Sequence, residues 1–127
     1  MDNYKNQQPL REPTFYILLS LSPGPKHGYA IFKDVETLSE GRVILSTSTL
    51  YGAIKRLVDR DWIKRVDDPE PTNADRGRKA YTLTEQGRKA LNAEVERLRK
   101  LVVVAQIQKA GETSWAVRNS LLQEFTG

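Results

Sequence analysis

The 127-residue chain contains no cysteine, which excludes a disulfide framework and any thiolate metal site. It has a single histidine, His27. Without a second histidine or a convincing carboxylate cluster, a zinc site lacks ligands. No nucleophile elbow or oxyanion loop accompanies His27, so it reads as a polar residue at a helix start. The segment Gly24–Gly28 lacks both the spacing and the lysine-serine/threonine ending of a nucleotide-binding loop. No apolar run approaches membrane-spanning length, and the start Met1-Asp2-Asn3-Tyr4-Lys5 has no signal-peptide pattern. There are no internal repeats and no low-complexity tracts. These absences argue against an enzyme, a cofactor, a metal and a membrane partner, and make a cytoplasmic location the expectation.

What is present leans toward a polyanion partner. Twenty Lys and Arg against sixteen Asp and Glu give a net charge of +4, a mild excess that favours polyanions. The length suits one compact domain with terminal extensions. The most informative stretch is Ser46–Ile63. Its four opening hydroxyl residues, Ser46 to Thr49, suit a helix start, where a side-chain oxygen accepts from an orphaned backbone N–H. Leu50, Ile54, Leu57 and Val58 recur at helical spacing and form one apolar stripe. The opposite face carries Thr47, Ser48, Tyr51, Gly52 and Lys55, small or hydrogen-bonding residues with no acid among them. Such a helix suits a DNA major groove.

Trp62-Ile63-Lys64-Arg65-Val66 follows as a short predicted strand. The turn-forming run Asp67–Asp75 then contains two prolines and no apolar stretch. Its acidic character predicts that it turns away from phosphates. Arg76, Arg78 and Lys79 come next, before a second predicted strand, Ala80-Tyr81-Thr82-Leu83, in which Tyr81 and Leu83 alternate inward. Helix, strand, basic hairpin and strand make the layout of a winged helix-turn-helix, whose basic arm reaches a phosphate or the minor groove.

Over about residues 13 to 105 the chain resembles the PadR-like transcriptional regulator family, on three landmarks. Gly24-Pro25-Lys26-His27-Gly28-Tyr29 resembles the family's opening of the second helix. Ser48-Thr49-Leu50-Tyr51, with Leu57 and Trp62-Ile63, resembles its recognition helix and first wing strand. Arg78-Lys79-Ala80-Tyr81-Thr82-Leu83-Thr84, with Gly87-Arg88 and Leu91, resembles its second wing strand and the start of its dimerisation helix. Two departures stand out: Thr47-Ser48 where the family often has Pro-Gly, and Gly77 where it often has Pro. The first changes which groups face the groove; the second loosens the wing tip, since glycine lacks proline's fixed φ. The resemblance implies DNA binding, a dimer formed through the long helix, and a structural role for the small Gly28.

Elsewhere the pattern predicts a polar arm over 1–10 and a first helix with Pro13 in its first turn and Phe15, Leu18, Leu19 and Leu21 inward. A second helix from about His27 to Ser39 has Tyr29, Ile31, Phe32, Val35 and Leu38 as core. Its N-terminal N–H groups, with Lys26, are placed to touch a phosphate. Val43-Ile44-Leu45 reads as an extended link that adds a strand to the wing sheet. Thr84 caps a long helix with Glu85 in its first turn. Leu91, Val95, Leu98, Val102 and Ala105 then recur at spacings of four, three, four and three, a heptad-like seam for a second copy. About 25 residues of helix would run nearly 40 Å, too long to bury against a domain this small. Beyond Ala110-Gly111, Ser114 is placed to cap a short last helix carrying Trp115, Leu121, Leu122 and Phe125. Some PadR-like proteins take aromatic effectors between their dimerisation helices. Here Val102, Val103, Val104 and Ile107 would line that groove, and Trp115 is the stacking residue nearest to it.

The expected fold is therefore mainly α with a small antiparallel β-wing: a winged helix-turn-helix domain plus a long C-terminal dimerisation helix. The expected parts are an arm at 1–10, a DNA-binding domain at 11–83, a dimerisation helix at 84–110 and a tail or short helix at 111–127. The expected function is a homodimeric regulator, in the first instance a repressor, on a pseudo-palindromic operator in double-stranded DNA. The expected contacts are Thr47, Ser48, Tyr51, Lys55, Arg76, Arg78, Lys79 and Lys26. The competing expectation is a winged-helix protein-interaction module whose basic wing meets an acidic protein surface.

Overall fold

The computed structural model describes residues 8–67 and 79–126. Among the described residues, four helices and three strands occur in the order α1 (Glu12–Ser20), β1 (Lys26–His27), α2 (Gly28–Leu38), α3 (Thr47–Asp59), β2 (Ile63–Val66), β3 (Ala80–Leu83) and α4 (Glu85–Thr126). The fold divides into two compact units, Met1–Glu94 and Val95–Gly127.

The first unit is a winged helix, and its core comes from the apolar sides of α1, α2 and α3. Pro13 lies in the first turn of α1, where its missing N–H removes no hydrogen bond. Ile17, Leu18 and Leu21 from α1, Ile31 and Val35 from α2, and Leu50, Ile54 and Leu57 from α3 are almost fully buried. Two serines enter this core with their hydroxyls satisfied. Ser20 Oγ donates to the Ile17 carbonyl at 2.7 Å, and Ser39 Oγ accepts from the Val43 N–H at 3.0 Å. After α2 the chain reverses at Gly41, where φ is +78°, a left-handed conformation that glycine adopts without penalty.

The second helix departs from its sequence pattern at two positions. Tyr29 and Leu38, expected in the core, are 62% and 44% exposed. Ile31 and Val35 are the large side chains of α2 fully turned inward, the half-buried Phe32 packs against the core as expected, and Tyr29 stacks on Phe32 with ring centroids 6.2 Å apart.

The sheet order is β1-β3-β2, antiparallel throughout. The third strand is Lys26–His27 and not Val43–Leu45, which is irregular. Lys26 pairs with Tyr81 and His27 with Ala80; His27 reaches this extended pairing just before α2 begins, with φ −69° and ψ 158°. β3 is the central strand, paired along both edges, and Ala80 is buried along with the expected Tyr81 and Leu83.

The wing is bolted to the root of α4. Thr84 N–H donates to the Trp62 carbonyl at 3.0 Å, and Thr84 Oγ1 donates to the Asp61 carbonyl at 2.5 Å. The same hydroxyl accepts from Gly87 N–H at 3.0 Å, the expected N-cap. Leu91 is 4% exposed and belongs to the core of this unit. Glu94, also buried, accepts from Leu10 N–H at 3.3 Å, and Leu10 packs against the core where the sequence suggested a polar arm.

The second unit is the remainder of α4. The helix runs unbroken past Gly111 to Thr126, so the separate short helix expected after Ala110 is its continuation. Among the described residues no helix is long and apolar enough to cross a membrane.

Candidate nucleic-acid interface

Helix α3 has two chemically distinct sides. Its back buries Leu50, Ala53, Ile54 and Leu57, and its front leaves Thr47, Ser48, Tyr51 and Lys55 exposed. Ser46 fixes the first turn: its Oγ accepts from Thr49 N–H at 3.1 Å and donates to Thr49 Oγ1 at 2.8 Å, and it lies 3.3 Å from Ser48 Oγ. The hydroxyls of Ser46, Ser48 and Thr49 are thus grouped at the cap, whereas Thr47 and Lys55 face outward. Tyr51 is 46% exposed and its ring leans over the start of α2. A Cβ on Gly28 would collide with the Tyr51 hydroxyl and lie 2.8 Å from its Cζ. Gly28 is what lets this tyrosine settle there.

Of the wing cations, Lys79 is exposed just ahead of β3, while Arg76 and Arg78 lie outside the described residues. Lys79 shares a cleft of about 370 Å³ with Tyr51, Ile54, Lys55, Val58, Asp59, Arg65 and Tyr81. The structure therefore brings Tyr51, Lys55 and Lys79 together. Lys55 lies 3.8 Å from Asp59 one turn along, an exposed pair of little strength.

Lys26 has a partner within the domain. Its ammonium is paired with Asp34 on α2, both side chains being half-buried. The pairing offsets the cation from within the domain, and no local pattern signals it because the partners are eight residues apart and on different elements. A second hollow, of about 130 Å³, lies among Gly28, Tyr29, Phe32, Thr47, Leu50 and Tyr51. It is smaller than the roughly 300–1,000 Å³ of typical ligand pockets.

The sequence profile of the transcriptional regulator PadR-like family matches residues 17–93. The chain belongs to that family. A PadR family transcription regulator from Clostridium difficile R20291 has a similar fold, with a TM-score of 0.62 and 26% identity. The match covers 76% of this chain and 96% of that one. Bacillus subtilis PadR, solved in complex with operator DNA, is 27% identical with a TM-score of 0.54, covering 65% of this chain and 46% of that one. An uncharacterized 37.1 kDa protein in a transposon of Streptomyces fradiae is 33% identical over 86 residues. That stretch is 67% of this chain but only 22% of the transposon protein. PadR-like proteins are transcriptional regulators, not enzymes.

Two surface residues of this PadR-like fold escaped the sequence reading. Arg65 is exposed on β2 and lines the cleft with Lys79. Its signal is the pair Lys64-Arg65 inside a predicted strand, on the first arm of the hairpin rather than the more basic second arm. Tyr29, exposed beside the hollow next to Thr47 and Tyr51, was hidden by being aromatic in a helical apolar pattern.

Of the expected dimer seam, Leu91 is used up by its own domain. Val95, Leu98 and Val102 remain 44%, 38% and 54% exposed, and Ala105 is exposed as well. Leu101, Val103, Val104 and Ile107 are also exposed, interleaved with Glu96, Arg97, Arg99, Lys100 and Gln106. Trp115 stands exposed further along the same helix.

Proposed function

We propose that this protein is a homodimeric, cytoplasmic repressor that occupies a pseudo-palindromic operator and blocks access of polymerase. The observation that carries the reading is the front of α3: exposed, rich in hydrogen-bonding groups and free of acid from Thr47 to Lys55, on a helix whose back is locked into the core. In this reading Thr47, Ser48, Tyr51 and Lys55 meet base edges in the major groove. Lys79, with Arg76 and Arg78, meets phosphates or the adjacent minor groove. Lys26, held by Asp34, contributes little. The operator complex of Bacillus subtilis PadR supports the assignment by family kinship.

A second copy of the chain supplies the other half-site. The exposed apolar side chains from Val95 to Ile107 favour burial against a like helix, since covering an apolar stripe removes it from water. Two-fold symmetry then sets the two α3 helices about one duplex turn apart or a multiple of it.

The test is a fluorescence-anisotropy titration against DNA from upstream of the gene, beside random duplex of equal length, at two salt concentrations. A preference of tens-fold or more for the upstream DNA that persists at higher salt establishes a specific operator. Equal, salt-sensitive binding to both duplexes rules out an operator in that DNA. No binding to either transfers the assignment to a protein-interaction module.

A further inference from the structure

We infer that the cleft between α3 and the wing seats one sugar-phosphate unit of the duplex, and that Arg65 is the residue that grips its phosphate. The inference rests on the DNA-binding reading above and adds to it a site and a residue.

The cleft has an apolar floor and a charged rim. Ile54 and Tyr81, 2% and 3% exposed, form the floor with the half-buried Val58, and Lys55, Arg65, Lys79 and Asp59 surround it. Three cations against one carboxylate leave a net positive site. Asp59 is offset by Lys55 at 3.8 Å, so the excess falls on Arg65 and Lys79. Among the described residues neither of these two takes part in an ion pair.

Strand register explains why they converge. Arg65 is paired with Tyr81 across β2 and β3, and Lys79 is two residues before Tyr81. Side chains two apart on a strand share a face, and diagonal cross-strand neighbours lie within reach of long side chains. Arg65, Tyr81 and Lys79 therefore border one surface, which faces α3 at Ile54 and Val58.

The occupant follows from the mixed chemistry. A small inorganic anion would use the rim and waste the floor, whereas a deoxyribose phosphate places carbon on the apolar floor and oxygens at the rim. The cleft also includes Tyr51 and Lys55 from the front of α3, so a backbone bordering a groove that α3 enters passes through it. Arginine suits the grip because its planar fork meets two phosphate oxygens at once.

The experiment is an anisotropy titration of the full-length protein over a salt series, with upstream and random duplexes, for wild type, Arg65→Ala, Arg65→Lys and Asp59→Asn. Arg65→Ala is expected to weaken both duplexes alike by about tenfold, the loss of one charge-assisted contact, and to lower the salt slope by about one. Arg65→Lys keeps the slope, and Asp59→Asn tightens both duplexes by removing the carboxylate. Wild-type affinity and slope in a folded Arg65→Ala protein overturn the phosphate seat while leaving the DNA-binding reading intact. Loss confined to the upstream duplex overturns it too, since Arg65 would then read bases. Absence of any wild-type binding overturns both. Should Arg65→Ala lower the melting temperature, Asp59→Asn decides alone, and unchanged or weaker binding in that variant counts against the seat.

Discussion

Single atoms decide how this domain presents α3. Ser46 Oγ accepts from Thr49 N–H and so closes one of the donors that a helix start leaves open. Ser46→Ala is expected to cost about 1 kcal/mol of stability, read as a lower urea midpoint with an unchanged slope. It also frees the hydroxyls of Ser48 and Thr49 from the cap, so its effect on DNA preference should exceed that of an equally destabilising core change. Gly87 is the stricter position. A Cβ there would run into the Trp62 carbonyl and lie 2.7 Å from its carbon, and both atoms belong to backbone that Thr84 already holds. With no flexible neighbour to yield, Gly87→Ala should destabilise by about 1–3 kcal/mol, the usual cost of overpacking, measured by thermal unfolding. At Gly28 the obstruction is the far end of Tyr51, which can swing away. Gly28→Ala should therefore cost less stability than Gly87→Ala and show itself in DNA binding.

At the scale of elements, α3, β2 and β3 were legible from sequence because each carries its own signal. A hydroxyl cap and a helical stripe mark α3, and alternation marks β3. The exposed front of α3 followed from the same periodicity, which is why Thr47, Tyr51 and Lys55 were identifiable as a group. The features that escaped depend on contacts between distant segments. β1 is only two residues long and exists because β3 offers it an edge, a fact no local pattern encodes. Leu91 opens a heptad series that looks the same whether its side chain faces a partner or, as here, its own domain. Gly111 looked like a break because glycine is a poor helix former, yet α4 passes through it. That continuity is testable. A Cβ at Gly111 meets nothing within 4 Å and the residue has no left-handed φ to preserve. Gly111→Ala should therefore stabilise the helix by about 1 kcal/mol, seen as stronger far-ultraviolet circular dichroism and slower amide exchange around residue 111. A weaker signal or faster exchange would mean the glycine is needed for a break after all.

For the whole molecule the governing quantity is the apolar surface of α4 beyond Val95. Leu98, Leu101, Val102 and Ala105 lie within one third of the helix circumference at 100° per residue, and all are exposed in the single chain. Covering them with a second copy links folding to association, so the melting temperature of the wild type should rise with protein concentration. Leu98→Glu puts a charge into that face without touching the core of the first unit, and is expected to sediment as a monomer whose melting no longer depends on concentration. Its effect on DNA then separates the two halves of the proposal. A dimer places two α3 helices on one operator, and the second engagement is effectively intramolecular, worth about a hundredfold or more in avidity. Random duplex, held by phosphate contacts alone, should lose far less. A variant that becomes monomeric yet binds the upstream duplex as tightly as wild type would show that one winged helix suffices, and the pseudo-palindromic operator would have to be given up.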